Sequence, residues 1–305
     1  MEVLQLVNTR RPFFDQQVEA LEARGIDCTT LTVPGEHTTD SGHGVADYGK
    51  FQAKLLGHAG DYDLVHANYG LLGPLALAQP TRPVVLTLWG SEVMGHAWWL
   101  DRVSSLAARG SDAVVVPSPE MSPHVPCEHE VIPFGVDTQQ FAPMPQSRAR
   151  EELGWPQDRS IVLFPYPPAR PVKNFPLAES VVDGLDAEAE LRTMSDVPHE
   201  RVPLYMNASD AVLVTSRRES GPMVVKEAAA CNVPIVATDV GFVDRVLDGV
   251  SDAYCCASEA ELRARLESVL ERGARSDGRE VLTDLSLDRM GEQLTAVYRS
   301  VLEAD

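Results

Sequence analysis

The sequence predicts an α/β protein built as two doubly wound domains, each a parallel sheet with helices on both faces. Three observations predict it. Short apolar runs recur with the length of buried strands, at 3–7, 83–88, 112–117, 161–164 and 211–215. Stretches of helical spacing lie between them, and strands that alternate with helices imply a parallel sheet covered on both sides. The alternation is interrupted at Pro143-Met-Pro-Gln-Ser and then starts again, as expected of a linker.

Residues 3–7 read as the first strand. Phe14, Val18 and Leu21 have helical spacing, and Gly25 closes that helix. Residues 26–33 alternate as a strand, and 63–66 form another. A helix is predicted near 96–109. After the linker come a helix at 148–153, the strand at 161–164, and a βαβ unit made of the strand at 211–215, a helix and the strand at 234–238. Ser258-x-x-Glu261 opens a further helix as a capping box. Leu287, Met290, Leu294, Val297, Tyr298 and Val301 form one apolar stripe on a terminal helix. The expected division is 1–143, 144–283 and 284–305. In doubly wound sheets ligands sit at the carboxyl ends of the strands, so a crevice faced by both domains is the expected site.

Composition narrows the function. The 305 residues are 44% hydrophobic and 23% charged, which suits a chain long enough for two cores. The net charge of −19 argues against a nucleic-acid partner. No apolar run approaches the roughly 20 residues of a membrane span, and 1–7 reads as a strand rather than a leader. A cytoplasmic location, or a peripheral one at the inner membrane surface, is expected. The five cysteines have no zinc-type spacing and fit reduced thiols. Lysine occurs four times, at 50, 54, 173 and 226, so cations beside predicted turns stand out.

The most informative stretch is Glu219-Ser220-Gly221-Pro222-Met223-Val224-Val-Lys-Glu227, inside the βαβ unit. Pro222 suits the first turn of the helix, with Ser220 or Gly221 as its cap. The helix N-terminus directs unpaired N–H groups above the sheet. Glu219 lies in the turn and Glu227 about two turns into the helix, so both can line one pocket. Pro-Ile-Val-Ala-Thr and Gly241 follow.

This segment resembles the signature of retaining family-4 glycosyltransferases of the GT-B fold, two Rossmann-like domains facing a cleft. The resemblance implies that Glu219 lies beside the donor sugar and that Glu227 hydrogen-bonds the nucleotide ribose, with 220–224 completing the donor site. Phe164-Pro-Tyr-Pro-Pro-Ala-Arg170-Pro-Val-Lys173-Asn is similar to the family segment whose Arg and Lys clamp the donor diphosphate; Arg supplies a fork and Lys a point charge. Residues 131–143 are similar to the segment that ends the first domain, with Phe134 in place of an Asn. Thr87-Leu-Trp89-Gly90-Ser91-Glu92 looks like the family's Thr-x-His-Gly-Ser-Asp, with Trp89 in place of the His. Gly90, Ser91 and Glu92 are acceptor-side or cleft candidates. His66, in His-Ala-Asn-Tyr-Gly, is either another or a satisfied structural residue. The turn Asn8-Thr-Arg10-Arg11 lacks the glycines that relatives carry there.

The function implied is retaining transfer of a sugar from a nucleoside diphosphate sugar to a glycan, lipid or small-molecule hydroxyl. No cofactor and no metal are expected, because Arg170 and Lys173 neutralise the leaving group. The alternatives are a catalytically silent GT-B subunit, suggested by Trp89 and the glycine-free turn, and a sugar-nucleotide epimerase. The sugar, base, acceptor and oligomeric state are not specified by the sequence.

Overall fold

Eleven strands fall into two sheets in the structure, a computed structural model that describes residues 1–35, 43–58, 60–94, 97–219 and 221–304. The first sheet comprises β1 (Glu2–Val7), β2 (Asp27–Thr32), β3 (Leu64–Asn68), β4 (Val84–Thr87), β5 (Ala113–Val116) and β6 (Glu130–Val131). Its order is β2-β1-β3-β4-β5-β6 and every pairing is parallel. Helices α1 (Pro12–Glu22), α2 (Val45–Leu56), α3 (Gly73–Leu77) and α4 (Trp98–Gly110) connect these strands. β4 and β5 read as unbroken apolar runs because both sheet faces are covered, and β3 and β4 are buried at every residue.

The second sheet comprises β7 (Ser160–Phe164), β8 (Ala189–Thr193), β9 (Ala211–Val214), β10 (Ile235–Thr238) and β11 (Ala253–Cys256), in the parallel order β11-β10-β9-β7-β8. Its helices are α5 (Gln146–Leu153), α6 (Phe175–Asp183), α7 (Val202–Ala208), α8 (Met223–Ala230), α9 (Val243–Leu247), α10 (Glu259–Arg272) and α11 (Gly278–Val281). Arg150 of α5 pairs with Asp210 at 2.6 Å, and the same carboxylate accepts the N–H of Ile161, which pins the starts of β7 and β9.

The chain divides into two units, Met1–Gly135 with Leu287–Asp305, and Val136–Ser286. The final helix α12 (Leu287–Glu303) therefore belongs with the first sheet. It crosses α1 closely, since a Cβ on Gly291 would lie 2.9 Å from the carbonyl oxygen of Ala20. The boundaries fall after Gly135 and Ser286, against expected positions after 143 and 283. Residues 136–141 are held by the second unit: Val136 N–H donates to Leu285 (2.8 Å), Arg279 donates to the carbonyls of Phe141 (2.8 Å) and Thr138 (2.7 Å), and Phe141 is fully buried. Among the described residues no helix is long and apolar enough to cross a membrane.

Candidate donor site

Both sheets reverse strand order beside their first strand, the second one between β7 and β9. Carboxyl ends at such a point form a natural ligand crevice. The loop after β7 carries Tyr166, Arg170 and Lys173; the loop after β9 carries Ser216 and Glu219. Thr215 Oγ1 donates to the carbonyls of Lys173 (3.0 Å) and Asn174 (3.1 Å), and Arg217 N–H donates to Val172 (2.9 Å). These bonds staple the two loops together. Asn174 takes the left-handed conformation (φ 55°) that ends the short turn at Pro171–Lys173, a role asparagine tolerates well.

The stapling brings Lys173 and Glu219 into contact. Glu219 Oε1 accepts from Lys173 Nζ (2.5 Å), Ser216 Oγ (2.6 Å) and Tyr166 OH (3.2 Å). The lysine and glutamate side chains are only 8% and 10% exposed. Lys173 Nζ also stands 4.0 Å from the centre of the Tyr166 ring, a cation–π contact. Burial pulls the Lys173 ammonium below its usual range, the Glu219 carboxylate pulls it back up, and Arg170 pushes it down again. Burial drives the Tyr166 phenol well above 10, and the neighbouring carboxylate adds to this. Arg170 itself is exposed.

The backbone of Glu219 is fixed from the other side by Gly241. That glycine has φ +58°, and a Cβ on it would collide with the Glu219 carbonyl oxygen. The small residue after β10 is thus required twice over, by conformation and by space.

Helix α8 starts later than expected. Pro222 is its N-cap (φ −75°, ψ 71°) rather than a first-turn residue, and no side chain caps the helix. Glu227 consequently lies about one turn into α8, not two. Gly221, Met223 and Val224 are half-buried at this end and Pro222 is buried; Ser220 lies outside the described residues. Glu227 is 6% exposed, and burial lifts its carboxyl to about 8, opposed by the adjacent Lys226. His199 Nε2 stands 4.0 Å from Glu227 Oε1, and burial pulls that imidazole below its usual range. Fully buried Lys226 is lowered by burial to about 7 and faces the Phe242 ring at 5.8 Å. Glu219 and Glu227 remain on one βαβ unit, but the cation that meets Glu219 comes from the β7 loop.

In the first unit two candidates are corrected. His66 is enclosed by the core, not presented at a cleft. Its Nδ1 meets Tyr298 OH (2.6 Å) and its Nε2 meets Thr87 Oγ1 (2.7 Å). Gln5 donates to the same phenol (3.1 Å), so the phenol proton goes to Nδ1 and the imidazole proton sits on Nε2. Burial holds this imidazole at about 3. Glu92 is 1% exposed, and its Oε1 accepts the N–H groups of Trp89 (2.6 Å) and Gly70 (3.3 Å), so its carboxylate is committed to the turn. Gly90 in that turn has φ 113°, and Ser91 is exposed. Trp89 packs on Phe13 (4.8 Å between centroids, edge-to-face), and Phe13 packs on Phe134 (4.6 Å). Trp89 and Phe134 stand where a histidine and an asparagine were expected, and Phe13 of α1 packs against both.

Asp61-Tyr-Asp63, the one Asp-x-Asp before β3, lies at the amino edge of the first sheet, where Asp63 Oδ2 accepts the N–H of Glu2 at 2.8 Å. A surface depression of about 490 Å³ between β5, β6 and α12, lined by Asp112, His129 and Gln293 among others, contains none of the candidate residues.

Two parallel, doubly wound sheets are the architecture of the GT-B fold. Family models support this along most of the chain: the glycosyl transferase 4-like domain matches residues 3–127 and glycosyl transferases group 1 matches residues 178–281. The chain belongs to the GT-B glycosyltransferases of the family-4-like type. It is 26% identical over 322 residues to D-inositol 3-phosphate glycosyltransferase 1 of Catenulispora acidiphila, covering 84% of this chain and 76% of the relative. It is 27% identical over 210 residues to the putative teichuronic acid biosynthesis glycosyltransferase TuaC of Bacillus subtilis, covering 59% and 54%. In fold it resembles sucrose-phosphate synthase of Thermosynechococcus elongatus, with a TM-score of 0.82, 18% identity and full coverage of both chains. It also resembles the Anabaena HepE protein in complex with UDP and glucose, with a TM-score of 0.78, 16% identity, and 98% and 100% coverage.

Proposed function

We propose that this glycosyltransferase is a retaining, metal-independent enzyme that takes its sugar from a nucleoside diphosphate sugar. The observation that carries the reading is the Lys173–Glu219 pair at the reversal point of the second sheet. Lys173, with exposed Arg170 three residues before it, supplies positive charge for a diphosphate in a chain of net charge −19. Negative charge grows on the diphosphate as the glycosidic bond breaks, so fixed cations bind the transition state more tightly than the substrate. Glu219 faces the sugar, and the acceptor hydroxyl attacks from the side that the diphosphate leaves. Glu227, buried one turn into α8, accepts hydrogen bonds from the ribose hydroxyls. The acceptor is a glycan, a lipid or a small molecule.

The test is a thermal-shift panel of UDP, GDP and ADP and their sugar esters, in which a ligand that binds the folded chain raises its melting temperature. Lys173→Ala should then cut nucleotide affinity and turnover by about tenfold or more, and Lys54→Ala, which changes an exposed cation outside every motif, should do neither. Equal, negligible effects would remove the phosphate clamp. A second reading, a silent nucleotide-binding subunit, is favoured by the glycine-free turn at 8–11 and by Trp89, which stands where a histidine was expected and packs on Phe13. Nucleotide binding without release of nucleoside diphosphate, with any acceptor, would select it.

A further inference from the structure

Three donors converge on one oxygen of Glu219, and only one of them is charged. The ammonium of Lys173 is thus engaged by the carboxylate. A diphosphate that takes Lys173 must compete with Glu219 for it. When the lysine turns to phosphate, the carboxylate keeps Tyr166 OH and Ser216 Oγ, both neutral donors on the same oxygen. Tyr166 is suited to both states: its hydroxyl holds the carboxylate while its ring face stays under the ammonium. Tyr166 comes from the loop after β7 and Ser216 from the loop after β9, so the carboxylate is braced by both strand ends.

From this geometry we infer that Lys173 and Glu219 form an exchangeable pair. The donor diphosphate binds by displacing Glu219 from Lys173, and Tyr166 and Ser216 are positioning residues that hold the released carboxylate toward the sugar. This rests on the donor reading above. Binding is coupled to presentation of the carboxylate, because Glu219 loses its counter-ion only when a diphosphate has arrived. The pair scales the apparent affinity for the diphosphate by the fraction of molecules in which Lys173 is disengaged from Glu219.

The experiment measures affinities for UMP, UDP and UDP-glucose, with GMP, GDP and GDP-glucose in parallel, in the full chain and in Glu219→Gln, Tyr166→Phe and Ser216→Ala. Glu219→Gln removes the competing charge, so diphosphate affinity should rise about tenfold, or about 1.4 kcal/mol, while monophosphate affinity stays within about twofold. Tyr166→Phe and Ser216→Ala should leave UDP or GDP affinity within about twofold and weaken the sugar nucleotide about fivefold, because the carboxylate loses a brace that matters only when sugar is present. A loss of folding stability alone would not split nucleoside diphosphate from sugar nucleotide in this way. Unchanged or weaker diphosphate binding in Glu219→Gln overturns the exchange and leaves the donor reading intact. If Glu219→Gln does not fold, the Tyr166→Phe split decides: equal effects on diphosphate and sugar nucleotide overturn the bracing. If the unaltered chain binds none of the six ligands, the donor reading fails and this inference fails with it.

Discussion

Gly241→Ala asks how tightly the backbone of Glu219 is held. Gly241 (φ +58°) abuts the Glu219 carbonyl, whereas Gly273 (φ +59°), which closes α10, has nothing within 4 Å of a built Cβ. The two glycines share a conformation and differ in their surroundings. The left-handed region costs an L residue roughly 1–2 kcal/mol, and alanine's smaller freedom in the unfolded chain returns about 0.4–1 kcal/mol. Gly273→Ala should therefore lose about 1 kcal/mol. Gly241→Ala should lose that and a further ~1–3 kcal/mol for overpacking, in total about 2–4 kcal/mol. Urea unfolding followed by circular dichroism measures both. The collision is relieved only by moving Glu219 or the strand end after β10. Gly241→Ala should consequently lose its preference for the sugar nucleotide over the free diphosphate by about tenfold in calorimetry, and Gly273→Ala should keep it. Equal stability losses in the two variants, or an intact preference in Gly241→Ala, would refute the reasoning.

Two further outcomes follow from buried ionisable groups. His66 sits at about 3 when folded against 6.5 for the free imidazole. Below about pH 6.5 the unfolded chain takes up a proton that the folded ring refuses, so stability is lost as pH falls toward 3. The slope should approach ~1.4 kcal/mol per pH unit between about pH 6 and 4.5, and His66→Gln should remove that one-proton component from a series of urea unfolding curves. Measured above about pH 8, where its carboxyl is ionised, Glu227→Ala should weaken UDP or GDP by on the order of 1.5–3 kcal/mol, about 10- to 150-fold, because bonds to ribose exist before any chemistry. Calorimetry that finds the affinity unchanged would reject the ribose contact.

Much of the fold was legible because burial on both faces writes parallel strands as unbroken apolar runs. β4, β5, β7 and β9 carry such runs, β1 does so apart from Gln5, and all five were read within a residue or two. β8 escaped because Ala-Glu-Leu-Arg-Thr is an edge strand, half-buried throughout, with Arg192 stacked on Trp155 at 4.4 Å and bonded to Glu190 at 2.8 Å. Its polar sequence gives no core signal, so no strand was read there. The unit boundary was displaced for a related reason. Prolines 143 and 145 mark a break in periodicity, but the crossing is set by the packing of Phe141 and the bonds of Arg279, which a linear reading does not contain.

The site divides along the same line. Spacing was enough to place Glu219 and Glu227 on one βαβ unit and Lys173 on another loop. It could not show whether these side chains meet. Lys173 and Glu219 are 46 positions apart and touch because β8 adds to the outer side of β7, which leaves β7 and β9 adjacent. Strand order, not spacing, creates the pair. Tyr166 was quoted only as part of a proline-rich loop, and its double contact depends on that same adjacency. His66 went the other way. A strand-end histidine in sequence gives no sign of which way it points, and in β3 it points at Tyr298 of the final helix, 232 residues later. A polar residue's partners decide whether it is core or site, and in a doubly wound sheet those partners are chosen by topology.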